Sequence, residues 1–265
     1  MTGLRLTEIW IYPIKSMGGI RLNSAKVEGK GLKFDRRWML VDENNTFITQ
    51  RKISRLALFK LEMKLDFFLV RFKNESIELP FSTPQNTKPI LATIWDDQVS
   101  TIEVSENFSQ WFSDKLGFQC KLVSFPEKNT RLVDAQYAIS QNHVSLADGY
   151  PILTIGQSSL DDLNQKLESP VPMDRFRPNL VFTGGQPYEE DSWKEFTIGM
   201  NKFMGVKPCS RCVLTTIDQL TGEQGKEPLA TLATYRKKEN QIYFGQNVIS
   251  IDHHEIHEGD EIKLH

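Results

Sequence analysis

The chain has 265 residues, long enough for one large domain or two small ones, and its 39% hydrophobic content supports a real core. A formal charge of −2 leaves no long-range attraction to nucleic acid or acidic membranes, so any basic site must be a local cluster. No apolar run reaches the roughly 18–20 residues of a membrane span, the first residues lack a secretory pattern, and three cysteines cannot build a disulfide framework, which points to the cytoplasm.

Residues 4–12 alternate loosely between apolar and polar side chains and stop at Pro13, as a strand entering a turn does. β-leaning runs follow near 20–28, 36–41, 46–50, 57–65, 67–72 and 98–104, each bounded by Gly, Asn, Asp or Pro. Short strands at this spacing predict a barrel or sandwich. Two segments break the period. In 106–117, Phe108, Trp111, Phe112 and Leu116 recur at helical spacing, and Gly117 suits a helix end. In 158–167, Leu160, Leu163 and Leu167 share a face, and Ser158 with Asp161 reads as a capping box. Between them, residues 126–150 are rich in Pro, Asn, Asp and Gly, and a domain boundary is expected there. Strands resume at 151–155, 179–183, 196–198, 213–217, 248–251 and 261–264. Helices are too few and too irregularly placed for a doubly wound sheet, so the expected fold class is a β-dominated α+β protein with few helices.

Two of the three cysteines stand in "KPCSRCVLTT", residues 207–216. A redox dithiol, half of a zinc site, or a single thiolate ligand to another metal all fit two thiols at this spacing. The redox reading wants a helix N-terminus, whereas Cys212 leads into Val-Leu-Thr-Thr-Ile, which prefers a strand. Zinc needs four ligands; "DHHEIHEGD" offers His253 and His257, but the gap to the cysteines is far longer than a zinc finger allows. Both cysteines could also be small buried hydrophobes with no chemistry. Arg211 weighs against that, because a guanidinium beside a thiol favours the thiolate and also grips phosphate through two bonds. His143 lies close in sequence to Asp148, but a lone histidine is more often structural.

These segments and others resemble the MOSC family, in the branch of the amidoxime-reducing components and their bacterial counterparts. Near the N-terminus, "YPIKSMGG" (12–19) and "FDRRWMLVD" (34–42) are similar to the family's Tyr-Pro-x-Lys-Ser and Asp-Arg-x-Trp segments. "RFRPNLVF" (175–182), "EDSWKEFTIG" (190–199), "CSRCVLTTID" (209–218), "KEPLATLATYR" (226–236) and "FGQN" (244–247) follow in family order. Met17 stands where relatives often carry Cys. The resemblance implies an N-terminal β-barrel-like domain over 1–125 packed with a MOSC β-barrel domain over 126–265.

It also implies a molybdenum–molybdopterin cofactor with Cys212 as the metal ligand and catalytic residue, and Cys209 as an accessory thiol. Cofactor contacts are implied for Lys15, Ser16, Arg36, Asp148 in the "ADGYP" turn, Arg177, Asn179, Ser210, Arg211 and Asn247. Lys15, Arg36, Arg177 and Arg211 are cations in a chain without net positive charge, the kind of set that holds a phosphate and a polar pterin. A soft thiolate and a dithiolene suit high-valent molybdenum. The reaction implied is two-electron reduction of N-hydroxylated small molecules such as hydroxylamines, amidoximes and N-hydroxylated bases. The chain has neither a four-cysteine set for an iron–sulfur cluster nor a Gly-x-Gly-x-x-Gly fingerprint, so electrons are expected from a separate flavin or iron–sulfur protein. Two other classes stay open: a carrier that passes on cofactor or sulfur, and a zinc-stabilised binding module. At family level only, pyridoxal phosphate binding is also associated. No nucleic-acid or membrane partner is expected.

Overall fold

The computed structural model describes residues 3–82, 88–134, 136 and 142–265. The first half carries β1 (Arg5–Ile11), β2 (Ile20–Leu22), β3 (Ser24–Glu28), β4 (Gly31–Leu32) and β5 (Trp38–Val41). It continues with β6 (Phe59–Met63), β7 (Phe67–Phe72), β8 (Glu75–Pro80), β9 (Pro89–Ile94), β10 (Asp97–Glu103), helix α1 (Glu106–Leu116) and β11 (Lys121–Ser124). The second half holds β12 (Ile152–Gly156), α2 (Gln157–Asn164), β13 (Leu180–Thr183), β14 (Glu195–Ile198) and β15 (Asn201–Ser210). α3 (Leu229–Tyr235), β16 (Lys237–Lys238), β17 (Gln241–Ser250), β18 (Glu255–His257) and β19 (Ile262–Leu264) complete it. The protein is strand-rich with few helices, as composition and periodicity predict. No helix among the described residues is long and apolar enough to cross a membrane.

A nine-stranded sheet runs β19-β14-β15-β17-β12-β13-β1-β2, with β16 paired to β17. Its pairs are antiparallel except β12 with β13. β1 and β2 therefore belong to the sheet that the second half builds, and β18 reaches back to pair with β3. A four-stranded sheet (β5-β11-β10-β9) and the β6-β7-β8 meander complete the first half. One large core cluster joins Leu6, Ile9 and Ile11 of β1 to Phe196, Phe203 and Val248. The loose alternation of β1 has a cause: a register shift between Leu6 and Glu8 resets the inward face, so Leu6 and Ile9 are both buried.

α1 follows its sequence signals. Ser105 Oγ accepts from the Phe108 N–H, Gly117 closes the helix at φ +74°, and Phe112 and Leu116 are buried. α2 starts at Gln157, and the Ser158–Asp161 capping box does not form. Instead the buried Glu190 carboxylate accepts from Gly156 N–H at 3.2 Å and from Ser159 Oγ at 2.9 Å. That cap comes from a distant loop, which local spacing cannot show. The segment 213–217 is not a strand. Val213–Thr216 forms a 3-10 turn in which the Thr215 N–H and hydroxyl donate to Cys212 O at 3.1 and 3.0 Å. Thr216 Oγ1 bonds Val213 O at 2.8 Å, so hydroxyl-to-backbone bonding overrides β propensity. The region 46–50 makes only isolated bridges, Val41 with Phe47 and Thr46 with Thr93.

Two irregularities re-aim the end of β15. Against β17 the register shifts between Gly205 and Lys207 and again between Pro208 and Ser210. Bulges of this kind turn a strand end out of its ladder. The first depends on Gly205, where an added Cβ would lie 2.1 Å from the Trp193 carbonyl oxygen. Backbone cannot yield as a flexible side chain does. Gly205→Ala is therefore expected to lower stability by about 2 kcal/mol or more. Urea unfolding checks this, and an unchanged midpoint contradicts it.

Candidate functional site

A cavity of about 290 Å³ opens where loops of both halves meet the end of β15. Lys15, Ser16, Arg36, Asp148, Arg177, Asn179, Ser210, Arg211, Cys212 and Asn247, all singled out from the sequence, line this one cavity. So does Cys209.

The wall from the first half is built on Asp35, a fully buried carboxylate. Its Oδ1 accepts from the Tyr12 N–H at 2.8 Å, and its Oδ2 from Arg36 Nη1 at 2.5 Å. Arg36 Nη1 also donates to Asn179 Oδ1 at 3.1 Å, and Nη2 to Arg177 O at 3.3 Å. Tyr12, only 2% exposed, donates through its hydroxyl to Pro178 O at 3.1 Å. Two guanidiniums lie against its ring, Arg36 at 4.3 Å and Arg177 at 4.2 Å from the centroid. Burial pushes the tyrosine up, far from ionising, with the two arginines opposing.

Arg177 is 8% exposed, and its guanidinium packs on the Tyr12 ring. Burial pushes it down to about 10, with the neighbouring Tyr12 opposing, so it still carries its charge at neutral pH. Ser16, Arg36 and Arg177 all adopt left-handed backbone, at φ +69°, +49° and +54°. That conformation costs roughly 1–2 kcal/mol at a residue with a Cβ. Three such residues at one cavity mark stored strain of the kind found at functional sites.

Lys15 forms the second cluster. Its Nζ donates to Leu146 O at 2.7 Å and to Asp148 Oδ1 at 2.6 Å. Arg51 Nη2 donates to Asp148 Oδ2 at 2.9 Å. Buried Arg131 clamps the carrying turn, donating to the carbonyls of Ser145, Ala147 and Asp148 at 3.1, 2.6 and 3.0 Å. The third cluster is the Cys-Ser-Arg-Cys run. Arg211 Nη1 donates to Cys209 Sγ at 2.9 Å, Nη2 donates to Phe176 O, and Nε is buried without a partner. The guanidinium also lies 5.3 Å from the Phe176 ring centroid.

Six Lys or Arg side chains (Lys15, Arg36, Arg51, Arg177, Lys207, Arg211) and one carboxylate (Asp148) line the cavity. Such an excess of cations suits an anionic ligand. Two polar residues serve the protein instead. Asn179 accepts from Leu153 N–H at 3.2 Å as well as from Arg36 and donates to Trp10 O at 3.1 Å; Asn247 Nδ2 donates to Lys207 O at 3.1 Å. Asn179 therefore acts on the cavity chiefly by holding Arg36. Sequence reading missed Asp35, Arg51 and Lys207, although Asp35 adjoins Arg36 in the Asp-Arg segment that drew attention. No group of three His, Cys, Asp or Glu side chains placed to hold a metal occurs among the described residues.

Asp148 yields a pH prediction. Burial raises its carboxyl, but Lys15 and Arg51 outweigh that and hold it well below the usual carboxylate range. A lowered folded pKa stabilises the fold fully above the unfolded value of about 3.9, and that contribution is lost as pH falls through the folded value. Asp148→Asn should therefore lower Tm above about pH 5, with the two curves converging towards about pH 2. The side chain is 53% exposed, so salt should shrink the gap. Thermal melts across this range check it; a gap that widens in acid contradicts it.

Comparison with known proteins matches two family models, the MOSC N-terminal beta barrel domain over residues 3–119 and the MOSC domain over 141–263. The chain is 34% identical to mitochondrial amidoxime-reducing component 1 of Mus musculus, covering 98% of this chain and 82% of that protein. It is 32% identical to the Homo sapiens protein of the same name, with the same two coverages, 98% and 82%. It is 30% identical to molybdenum cofactor sulfurase of Oryza sativa subsp. japonica, over 98% of this chain but 34% of that longer protein. The chain belongs to the MOSC-domain family, joining the family's N-terminal beta barrel domain and its MOSC domain in one polypeptide.

Proposed function

We propose that the cavity binds molybdenum cofactor and that the protein is an oxidoreductase reducing N-hydroxylated compounds with electrons from a separate donor protein. One observation carries this reading: a cysteine thiol and an excess of cations, including the buried Arg177, line the same cavity. The relatives named for amidoxime reduction support it.

The residues present fit the group. Cys212 offers a soft thiolate for the metal. Arg177, Arg36 and Arg211 face an anionic end with charge-assisted donors, and Arg211 has a buried Nε still free. Ser16 and Ser210 add hydroxyls on the wall. Asn179 fixes Arg36, while Asp148 holds Lys15 and Arg51 in place. Lys15 Nζ is held in the cavity wall by Leu146 O and Asp148 Oδ1, and burial pushes the ammonium down, with Asp148 opposing. When bound, the cofactor supplies two-electron cleavage of the N–O bond, the oxygen leaving as water after two protons and two electrons are added. We place this reaction in the cytoplasm, where three free cysteines stay reduced.

Cys212→Ala should abolish turnover of an N-hydroxylated test compound, whereas Cys209→Ala should keep much of it. Full turnover in Cys212→Ala would sink the ligand assignment. Removing a charge-assisted partner costs about 1.5–3 kcal/mol, so Arg177→Met should purify folded but with at least about tenfold weaker cofactor retention. Cofactor content equal to wild type would make Arg177 a structural residue. The cofactor-loaded protein should use an artificial one-electron dye or a flavin or iron–sulfur reductase, and not NADH or NADPH alone. Turnover with NADH and no partner contradicts the external donor. Bound molybdenum with no turnover from any donor favours a carrier role, which the rice cofactor sulfurase relative also supports.

A further inference from the structure

The β9–β10 hairpin turns through Trp95 and Asp96, between the paired Ile94 and Asp97. Trp95 takes φ +54°, a left-handed conformation that such turns usually fill with Gly, Asn or Asp. The side chain is 42% exposed, so burial of the indole does not explain the choice. Bulky residues in this region persist where the surrounding structure uses them. Here the indole Nε1 donates to Asp148 Oδ1 at 3.2 Å, and the Arg51 guanidinium lies 4.4 Å from the ring centroid. Phe47 meets the ring edge-on at 4.8 Å. Asp148 and Arg51 both line the cavity, and Arg51 Nε is buried without a partner. A large aromatic surface thus stands behind two residues of the cavity wall, in contact with both.

We propose that Trp95, with Arg51, forms a specificity-determining lip that favours substrates carrying the N-hydroxylated group on a flat, conjugated system. The inference rests on the reductase reading of the cavity. A planar aryl or heteroaryl group gains offset or edge contacts with the indole and stacks on a guanidinium. A small aliphatic group gains almost none of this.

The test compares cofactor-loaded wild type with Trp95→Asn and Trp95→Phe, using a phenyl amidoxime and N-methylhydroxylamine with an artificial dye as donor. Asn suits the left-handed turn, so that variant removes the ring without adding backbone strain. The ratio of kcat/KM for the phenyl compound over the methyl compound should fall about tenfold in Trp95→Asn, mainly through KM, and by much less in Trp95→Phe. An unchanged ratio in Trp95→Asn overturns the proposal. Calorimetric binding of the phenyl amidoxime without any donor separates this from the reductase reading. If wild type turns over neither compound, the reductase reading fails and the lip stands or falls on binding. Binding about tenfold weaker in Trp95→Asn supports it; equal binding, or none to wild type, refutes it.

Discussion

Taking a guanidinium out of water without an acceptor costs free energy that the surrounding structure must offset. Arg177 is largely out of water at 8% exposure, and its surroundings show how the structure offsets that cost. The face of Tyr12 gives partial compensation, but Arg36 occupies the same ring and repels Arg177. Buried Asp35 pairs with Arg36 and, together with Asp174, also favours the charge on Arg177. Three left-handed residues, Ser16, Arg36 and Arg177, hold these groups in place, and the fold sustains that strain through bonds such as Arg36 N–H to Tyr12 O at 2.9 Å.

The nine-stranded sheet makes the convergence possible. β1 pairs with β13, so the Tyr12–Ser16 loop leaves the sheet beside the Phe176–Asn179 approach to β13. β12 and β15 flank β17, which brings Leu153, Asn247 and the Cys209–Cys212 run together. Ser210 still pairs with Tyr243 and the Arg211 N–H donates to Ile242 O at 2.7 Å, so the ladder itself carries Cys209 to the cavity and ends just before Cys212. Fold and site depend on each other here: the loops that carry the charges are short exits from paired strands.

The candidate site was legible chiefly through the resemblance of short segments to the MOSC family, with the four cations Lys15, Arg36, Arg177 and Arg211 agreeing as a local cluster in a chain without net positive charge. Cations clustered in "YPIKSMGG", "FDRRWMLVD" and "RFRPNLVF" are visible without coordinates. Arg51 and Trp95 were not legible: each lies in a run that reads as ordinary loop, and only tertiary contact with Asp148 gives them meaning. The fold class was readable from short strands and turn residues. Register, the Glu190 cap on α2 and the turn at Val213–Thr216 were not, because side-chain bonds to backbone decided them over local propensity.

If the cation-rich cavity binds molybdenum cofactor as proposed, the Cys212 sulfur is a ligand to the metal. Metal analysis with X-ray absorption on protein made in a cofactor-supplying host addresses that claim most directly. One molybdenum per chain, losing one sulfur neighbour in Cys212→Ser, is the result the account predicts. Molybdenum with an unchanged sulfur shell in that variant, or zinc in its place, would contradict it.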